Sequence, residues 1–530
     1  MKKNIFILLL IIALGGFLRL YRLADFPVQL NHDEISQLYD AISIAQTGKD
    51  IYGNFLPTIF PSVNDFKSPF YTYATTLTYF ILGNHEWIIR IPGALFGILI
   101  IAASYLFILR LLRSSRLALL SSFVISVSPS EIFFSRKSFE NIAGIFFMLI
   151  AFYFLLTYLK KEKKIRFLYL ALTFTAAGMY TYFSHVVIIP LLLLIFILIF
   201  RKGFLPIKKY IFAISFWVLL IIPLLLIIML NPGSRYRSKT VFITQDPNLG
   251  QEISYGNKYK AIVDFTFNRY LDQFNPKYLF GQGLDLTNQG PVNMGLLYFL
   301  QLPFLILGII YLIRLPDFVK EKKFIFFWVI VGMLPSGLTF EPHSPHRSVM
   351  IFTMLDMISA MGLYFFIKKF HEYRIISILL IAFLINFLFF LNMYFVNFPF
   401  EKSESIHYPF KQVAQFAWSQ YSNFDQIIFD PVYGESAPVI GTGAHYYLAY
   451  YGNYPPASFQ QEYKSGQKER EVIFDKFSIR KIDWRDDQDL KNVLIIGSSW
   501  SVPIESIDKS RVLKTFFFYD GKPAFYAIKL

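Results

Sequence analysis

IFILLLIIALGGFLRLYRLADFPVQLNHDE, residues 5–34, joins the first long apolar run of the chain to the tetrad Asn31-His32-Asp33-Glu34. An acidic pair at the mouth of a membrane helix is poorly placed for packing. It is well placed for chemistry on a substrate that arrives through lipid, and carboxylates at that depth are costly enough to be functional by default. The reading of the whole chain follows from what surrounds this junction.

The composition points to a membrane protein: 55% hydrophobic, 19% aromatic and only 16% charged over 530 residues. Runs of about twenty apolar residues, the length that spans a bilayer, alternate with short basic stretches. The net charge of +15 is carried largely by clusters beside those runs: Arg110/Arg113/Arg116, 160–166, 201–209, 320–323 and 368–374. That is the positive-inside pattern of cytoplasmic loops, and no basic face interleaves with stacking aromatics, so nucleic acid is not an expected partner. The chain has no cysteine, which removes disulfide and thiolate chemistry. Met1-Lys2-Lys3 and the apolar run after it resemble a signal peptide, but no small-x-small cleavage site follows and Arg19 and Arg22 come next; a retained first helix is expected.

The basic loops fix the alternation of an α-helical polytopic bundle with about eleven transmembrane helices, at 4–20, 88–109, 117–130, 141–159, 166–182, 185–200, 210–230, 295–313, 324–339, 348–367 and 375–397. Two external loops are expected, 21–86 and 231–293. The stretch 69–82 is apolar but too short for a comfortable span, and is expected to lie in the interface. The N-terminus is expected in the cytoplasm and the loops at the outer face. After residue 400 alternating segments such as Gln426-Ile-Ile-Phe-Asp430 and Val493-Leu-Ile-Ile-Gly497 predict a C-terminal extracytoplasmic α/β domain, 401–530, following a transmembrane catalytic domain, 1–400.

In this topology the unusual polar residues collect at the outer face: Asp33, Glu34, Asp65, Lys67, Glu86, Arg90, Arg136, Glu140, His185, His343, His346 and Arg347. A closed bundle could converge them on one cavity. The bland readings are specific. Asp33 suits a helix N-cap and Glu34 a first turn; Lys67 suits a snorkelling anchor; Arg136 suits a partner for Glu140 four residues on; His185 suits a satisfied core histidine. His343 and His346 invite a metal, but no matching acid spacing accompanies them, so no metal or other cofactor is called for. No Walker loop, dinucleotide glycine fingerprint or Gly-x-Ser-x-Gly motif occurs.

The order of motifs resembles the GT-C membrane glycosyltransferases, and more narrowly the bacterial and archaeal relatives of the dolichyl-phosphate-mannose protein mannosyltransferases. The residues carrying it are His32-Asp33-Glu34, Lys67-Ser-Pro-Phe-Tyr, the stretch from Gly83-Asn-His-Glu-Trp to Arg90-Ile-Pro-Gly, Ser128-Pro-Ser-Glu to Arg136, and more loosely Pro345-His-Arg347. The resemblance implies Asp33 as catalytic base, with Glu34 binding a sugar hydroxyl or holding Asp33. It implies Lys67 as a phosphate ligand, although Ser68 stands where the family often has proline. It matches Arg90 to the family's arginine at the start of the second helix; as cations for the developing phosphate charge Lys67 and Arg347 come first, with Arg90 and Arg136 behind them, and Asp65, Glu86, Glu140, His185, His343 and His346 are substrate-binding candidates. It implies a polyprenyl-phosphate sugar donor, inversion, and a protein, lipid or glycan acceptor; the stretch from Tyr446 to Gln460 is similar to the external domains of many bacterial members. A monomer is expected. The alternative is a transporter or lipid-linked sugar flippase, but such proteins place charge at the midplane between related halves, and no second half mirrors the first here.

Overall fold

The computed structural model describes residues 2–62, 65–160, 164–204, 206–230, 241–255, 257–287, 290–463 and 470–530. The chain folds into two compact units, 1–23 with 90–394 and 24–89 with 395–530. Residues 24–89 therefore group with the C-terminal region, whereas the sequence reading kept them within 1–400.

The first unit is a bundle of apolar helices. Each of the eleven expected segments contains a helix among the described residues, although that expected at 295–313 starts only at Gln301; six helices are long and apolar enough to cross a membrane, or seven if a bent pair counts as one span. The expected count of eleven full spans is thus not what the helix lengths give. Ile165–Met179, His185–Ile199 and Gln301–Arg314 have 14 or 15 residues, about 22 Å at the rise of an α-helix and short of a ~30 Å hydrocarbon core. The segment expected at 324–339 is helical over Val319–Gly332, then breaks before a short turn at Leu334–Gly337. The bent pair is Ser115–Val127 and Pro129–Ser135, which meet at 59°. Pro129 bars the preceding residue from helical geometry, and Ser128 is accordingly extended.

Val349–Lys369 runs through the middle of this bundle, with fifteen consecutive buried residues from Val349 to Leu363, whereas Tyr373–Asn392 buries only Phe390. Small residues permit the tightest crossing. A Cβ on Gly308 would lie 1.9 Å from the Ile358 carbonyl oxygen, and one on Gly362 would lie 1.8 Å from that of Phe304. Close backbone approach of this kind replaces the hydrophobic driving force that lipid removes. The basic clusters gather at one end of the bundle: Arg110 donates to the Thr157 carbonyl, Lys160 to that of Arg110, and Lys320 and Arg113 lie over the Phe200 and Phe318 rings.

The second unit is α/β. Strands β1 (Phe60–Ser62) and β2 (Asp65–Lys67) form a hairpin within the 24–89 segment. From 395 onward come β3 (Gln426–Phe429), β4 (Val432–Tyr433), β5 (Val439–Ile440), β6 (Glu471–Phe474), β7 (Phe477–Arg480), β8 (Val493–Gly497), β9 (Val512–Phe517) and β10 (Pro523–Lys529). Six of them make one sheet in the order β6-β7-β3-β8-β10-β9, with β7, β3 and β8 parallel. β8 is buried along its whole length, as a central parallel strand between covered faces must be.

One core explains why 24–89 joins this unit. Leu30, Ile35, Leu38, Tyr39, Tyr71, Ile88 and Ile89 pack in the same buried cluster as Phe410, Tyr433, Tyr446, Tyr447, Phe459 and Phe525. Polar contacts reinforce it: Tyr447 donates to the Leu30 carbonyl at 2.5 Å, and the Gln460 amide to Ser43, Thr47 and the Asp50 carbonyl. The helix Pro69–Leu82 has the bounds read from the sequence. It buries Tyr71, Thr72, Thr75 and Thr76 and exposes Leu77, Phe80 and Ile81, the one-sided pattern of an interfacial helix.

Candidate active site

The helix His32–Thr47 begins with a complete capping box. The Asn31 side-chain oxygen accepts the Glu34 N–H at 2.8 Å, and the Glu34 carboxylate accepts the Asn31 N–H at 3.2 Å. This reciprocal pair satisfies two of the donors that a helix start leaves open. The N-cap is therefore Asn31, not Asp33, and buried Glu34 serves the cap. The Asp33 carboxylate takes no part in this box. It sits in the first turn, where the helix dipole favours negative charge, with its side chain 52% exposed.

The β1–β2 hairpin aims Lys67 at that turn. The Lys67 side chain is 9% exposed, and its ammonium donates to the Ser36 hydroxyl at 2.5 Å and the Asp33 carbonyl at 2.9 Å, with one Asp33 carboxylate oxygen at 3.4 Å. Three partners match the three hydrogens of an ammonium. His32 Nε2 lies 3.5 Å from the other Asp33 oxygen, and the His32 ring meets that of His407 edge to face at 5.3 Å. Burial, followed by the nearby His32, pushes His407 down to about 3, so it is neutral and accepts the Thr442 N–H at 3.3 Å.

Beneath this turn, Asp40 is buried and accepts the Ile51 N–H at 3.2 Å. Burial, then the nearby Asp50 charge, pushes its carboxyl up to about 8. Glu86 is occupied by Lys411 at 2.5 Å. Asp65 belongs to β2, and its side chain lies outside the described residues.

The remaining expected residues lie in the helical unit, where several have structural tasks. Buried Arg136 donates to the Leu18 and Arg19 carbonyls at 2.9 and 3.1 Å and to the Tyr394 hydroxyl at 3.2 Å, closing the end of the first helix. Buried Arg90 donates to the Leu23 carbonyl at 3.2 Å. These contacts tie part of each guanidinium to the end of the first helix and the residues after it. His185 is buried, with Nδ1 2.8 Å from the Thr181 hydroxyl. Glu140 is half-buried just before Asn141–Lys160. His343 Nε2 lies 2.9 Å from an Asp272 carboxylate oxygen, and the His346 carbonyl accepts the Asn141 amide. Among the described residues no three His, Cys, Asp or Glu side chains are placed to share a metal ion.

Arg347 differs from the other arginines. Its Nη2 lies 2.8 Å from a Glu341 carboxylate oxygen, while its buried Nη1 has no hydrogen-bond partner among the described residues. A buried guanidinium nitrogen with an open donor is a ready anion contact. Asn31, Ser36, His32 and His407 were not among the expected site residues. Asn31-x-x-Glu34 is a capping-box signature and could have been read; Ser36 and His407 carry no linear signal.

Residues 66–227 match the family described as dolichyl-phosphate-mannose-protein mannosyltransferase. The fold is shared with ArnT from Cupriavidus metallidurans. Its apo crystal structure matches at 12% identity with a TM-score of 0.58, covering 99% of this chain and 98% of that one. The structure of ArnT bound to undecaprenyl phosphate matches at 13% identity and 0.56, covering 99% and 97%. The archaeal oligosaccharyltransferase AglB from Archaeoglobus fulgidus, in complex with an inhibitory peptide and a dolichol-phosphate, matches at 12% identity and 0.50, covering 85% of this chain and 63% of that one. No curated protein sequence matches. The family match covers 66–227, and nearly the whole chain shares the fold of the ArnT structures, a multi-pass membrane-protein fold with several apolar helices.

Proposed function

We propose that this chain is an inverting glycosyltransferase with Asp33 as general base. The Asp33 carboxylate takes the proton of an acceptor hydroxyl as that oxygen attacks C1 of the donor sugar. The bond from C1 to the phosphate oxygen breaks, and its electron pair leaves with the polyprenyl phosphate. A positioned base contributes about 10²–10⁴-fold. The leaving group is already a stable anion, so the step needs cations for the developing charge rather than a protonating acid.

The single observation that carries the reading is the half-exposed Asp33 carboxylate 3.4 Å from the Lys67 ammonium. Of the three Lys67 contacts this is the longest. A donor phosphate oxygen would replace it, which neutralises the phosphate and frees the carboxylate to receive a proton in the same event. Arg347, judged separately, is assigned to anionic substrate through its open Nη1. The gathering of Arg110, Lys160 and Lys320 at one end of the bundle supports a cytoplasmic placement of that end, and hence of the N-terminus.

The test is reconstitution of the full chain in liposomes with a panel of polyprenyl-phosphate sugars, followed by mass analysis of the product. Transfer of sugar with release of polyprenyl phosphate is expected. Absence of transfer across the panel, together with movement of an intact lipid-linked sugar between leaflets, would favour a flippase.

A further inference from the structure

A cavity of about 670 Å³ opens in the helical unit between Lys2–Leu20, Ser115–Val127 and Val349–Lys369. Two of its walls have the same layout. On Ser115–Val127 the lining residues are Arg116 and the apolar side chains three, four and seven positions on, ending at Phe123. On and just beyond Val349–Lys369 they fall at Tyr364, three, four and seven positions on, ending in Lys368 and His371. This spacing is one face of an α-helix.

Arg116 stands in the first turn of its helix and Lys368 in the last turn of the other, yet both line one cavity. Two oppositely running helices thus place their cations at one mouth and their apolar stripes behind it, over about 10 Å at the helical rise. Ile11 adds an apolar third wall, and no carboxylate is among the lining residues. Arg116, Lys368 and His371 are exposed, so the Arg116 and Lys368 charges face outward rather than being spent inside the bundle.

We infer that this cavity is a binding site for one anionic glycerophospholipid, its phosphodiester at Arg116 and Lys368 and its proximal acyl chain along Ile11 and Phe123. Three observations select that occupant. The cavity is amphiphilic along its axis, as a headgroup joined to a chain requires. Its size falls within the ~300–1,000 Å³ range of small-molecule sites. It also lies in the end of the bundle that carries the other basic clusters, where anionic headgroups are attracted and where basic pockets between membrane helices bind them. The site is remote in kind from sugar transfer: it takes a structural lipid, and its occupancy is read without any turnover.

The experiment is native mass spectrometry of the full-length protein titrated with phosphatidylglycerol, phosphatidylcholine or undecaprenyl phosphate. Phosphatidylglycerol is expected to be retained roughly thirtyfold better than phosphatidylcholine, the scale set by two cations at about 1 kcal/mol each near a membrane surface. Arg116→Ala with Lys368→Ala should reduce it to the phosphatidylcholine level, and Arg116→Lys with Lys368→Arg should preserve it. Leu120→Trp fills the cavity while keeping every charge, and should also abolish retention. Equal retention of the two phospholipids would overturn the inference, as would undiminished retention by the alanine or tryptophan variant. A preference for undecaprenyl phosphate that the alanine pair removes would overturn the phospholipid assignment.

Discussion

The Lys67 ammonium binds the Ser36 hydroxyl at 2.5 Å and the Asp33 carbonyl at 2.9 Å, yet reaches the Asp33 carboxylate only at 3.4 Å. The lysine is anchored by the first turn of the helix while its weakest contact is to the group proposed to do the chemistry. That ordering suits a cation that exchanges a carboxylate for a phosphate without losing its position.

Lys67→Ala should lower kcat/KM for sugar transfer by about 10²–10³-fold, the usual loss when a preorganised charge contact is removed. Ser36→Ala should lower it by less, on the order of tenfold, because it loosens the lysine without removing it. Steady-state kinetics on the reconstituted protein checks both, and an effect of Ser36→Ala equal to that of Lys67→Ala would contradict the anchoring role.

Glu34 and Asp33 should separate cleanly. Glu34→Ala removes half of a capping box and should cost about 1 kcal/mol of stability, read as faster amide hydrogen exchange in His32–Thr47. Glu34→Gln, which can still accept from Asn31, should retain both cap and activity. A large loss of kcat in a well-folded Glu34→Gln would return this residue to the chemistry.

The second unit should have a stability optimum in pH. Asp40 titrates near 8 when folded against 3.8 ordinarily, so the folded state holds its proton more tightly and stability falls as pH rises from about 4 to about 8. His407 and His445 are pushed by burial from 6.5 to about 3, so their contribution is lost as pH falls from about 6.5 toward 3. Asp40→Asn should flatten the alkaline limb and His445→Phe the acid limb. Hydrogen exchange across the 24–89 segment between pH 5 and 8.5 gives the profile, and an unchanged alkaline limb in Asp40→Asn would refute the assignment.

Arg136 and Arg347 should fail differently. Arg136→Lys loses a fork that spans two carbonyls and a phenol, and should lower thermal stability with little change in donor KM. Arg347→Lys should raise donor KM with little loss of stability. Reversal of these two patterns would reassign both residues.

The sequence was most informative where the physics is local. Hydropathy and charge placed the apolar helices and brought the basic clusters to one end, and the bounds of Pro69–Leu82 followed from composition and the flanking proline and glycine. The strands at 426–429 and 493–497 were legible from apolar runs between turn residues. What escaped depended on distant partners. Nothing in 24–89 announces that Leu30 and Ile35 pack with Phe410 and Tyr447, nearly four hundred positions away. Arg90 and Arg136 donate to backbone carbonyls at the end of the first helix and just after it, partners that leave no mark in a sequence. Asp33 was open to reading as a cap because the true cap, Asn31, lies two residues earlier. Hydropathy also does not report helix length: three apolar helices of 14 or 15 residues fall short of a bilayer.

The most direct test is Asp33→Asn in the full-length protein, with folding verified by hydrogen exchange over His32–Thr47 and transfer measured from a polyprenyl-phosphate sugar that the native chain uses. A loss of about 10²–10⁴-fold in kcat with donor affinity retained is the expected result. A folded Asp33→Asn that transfers sugar at the native rate would contradict the account.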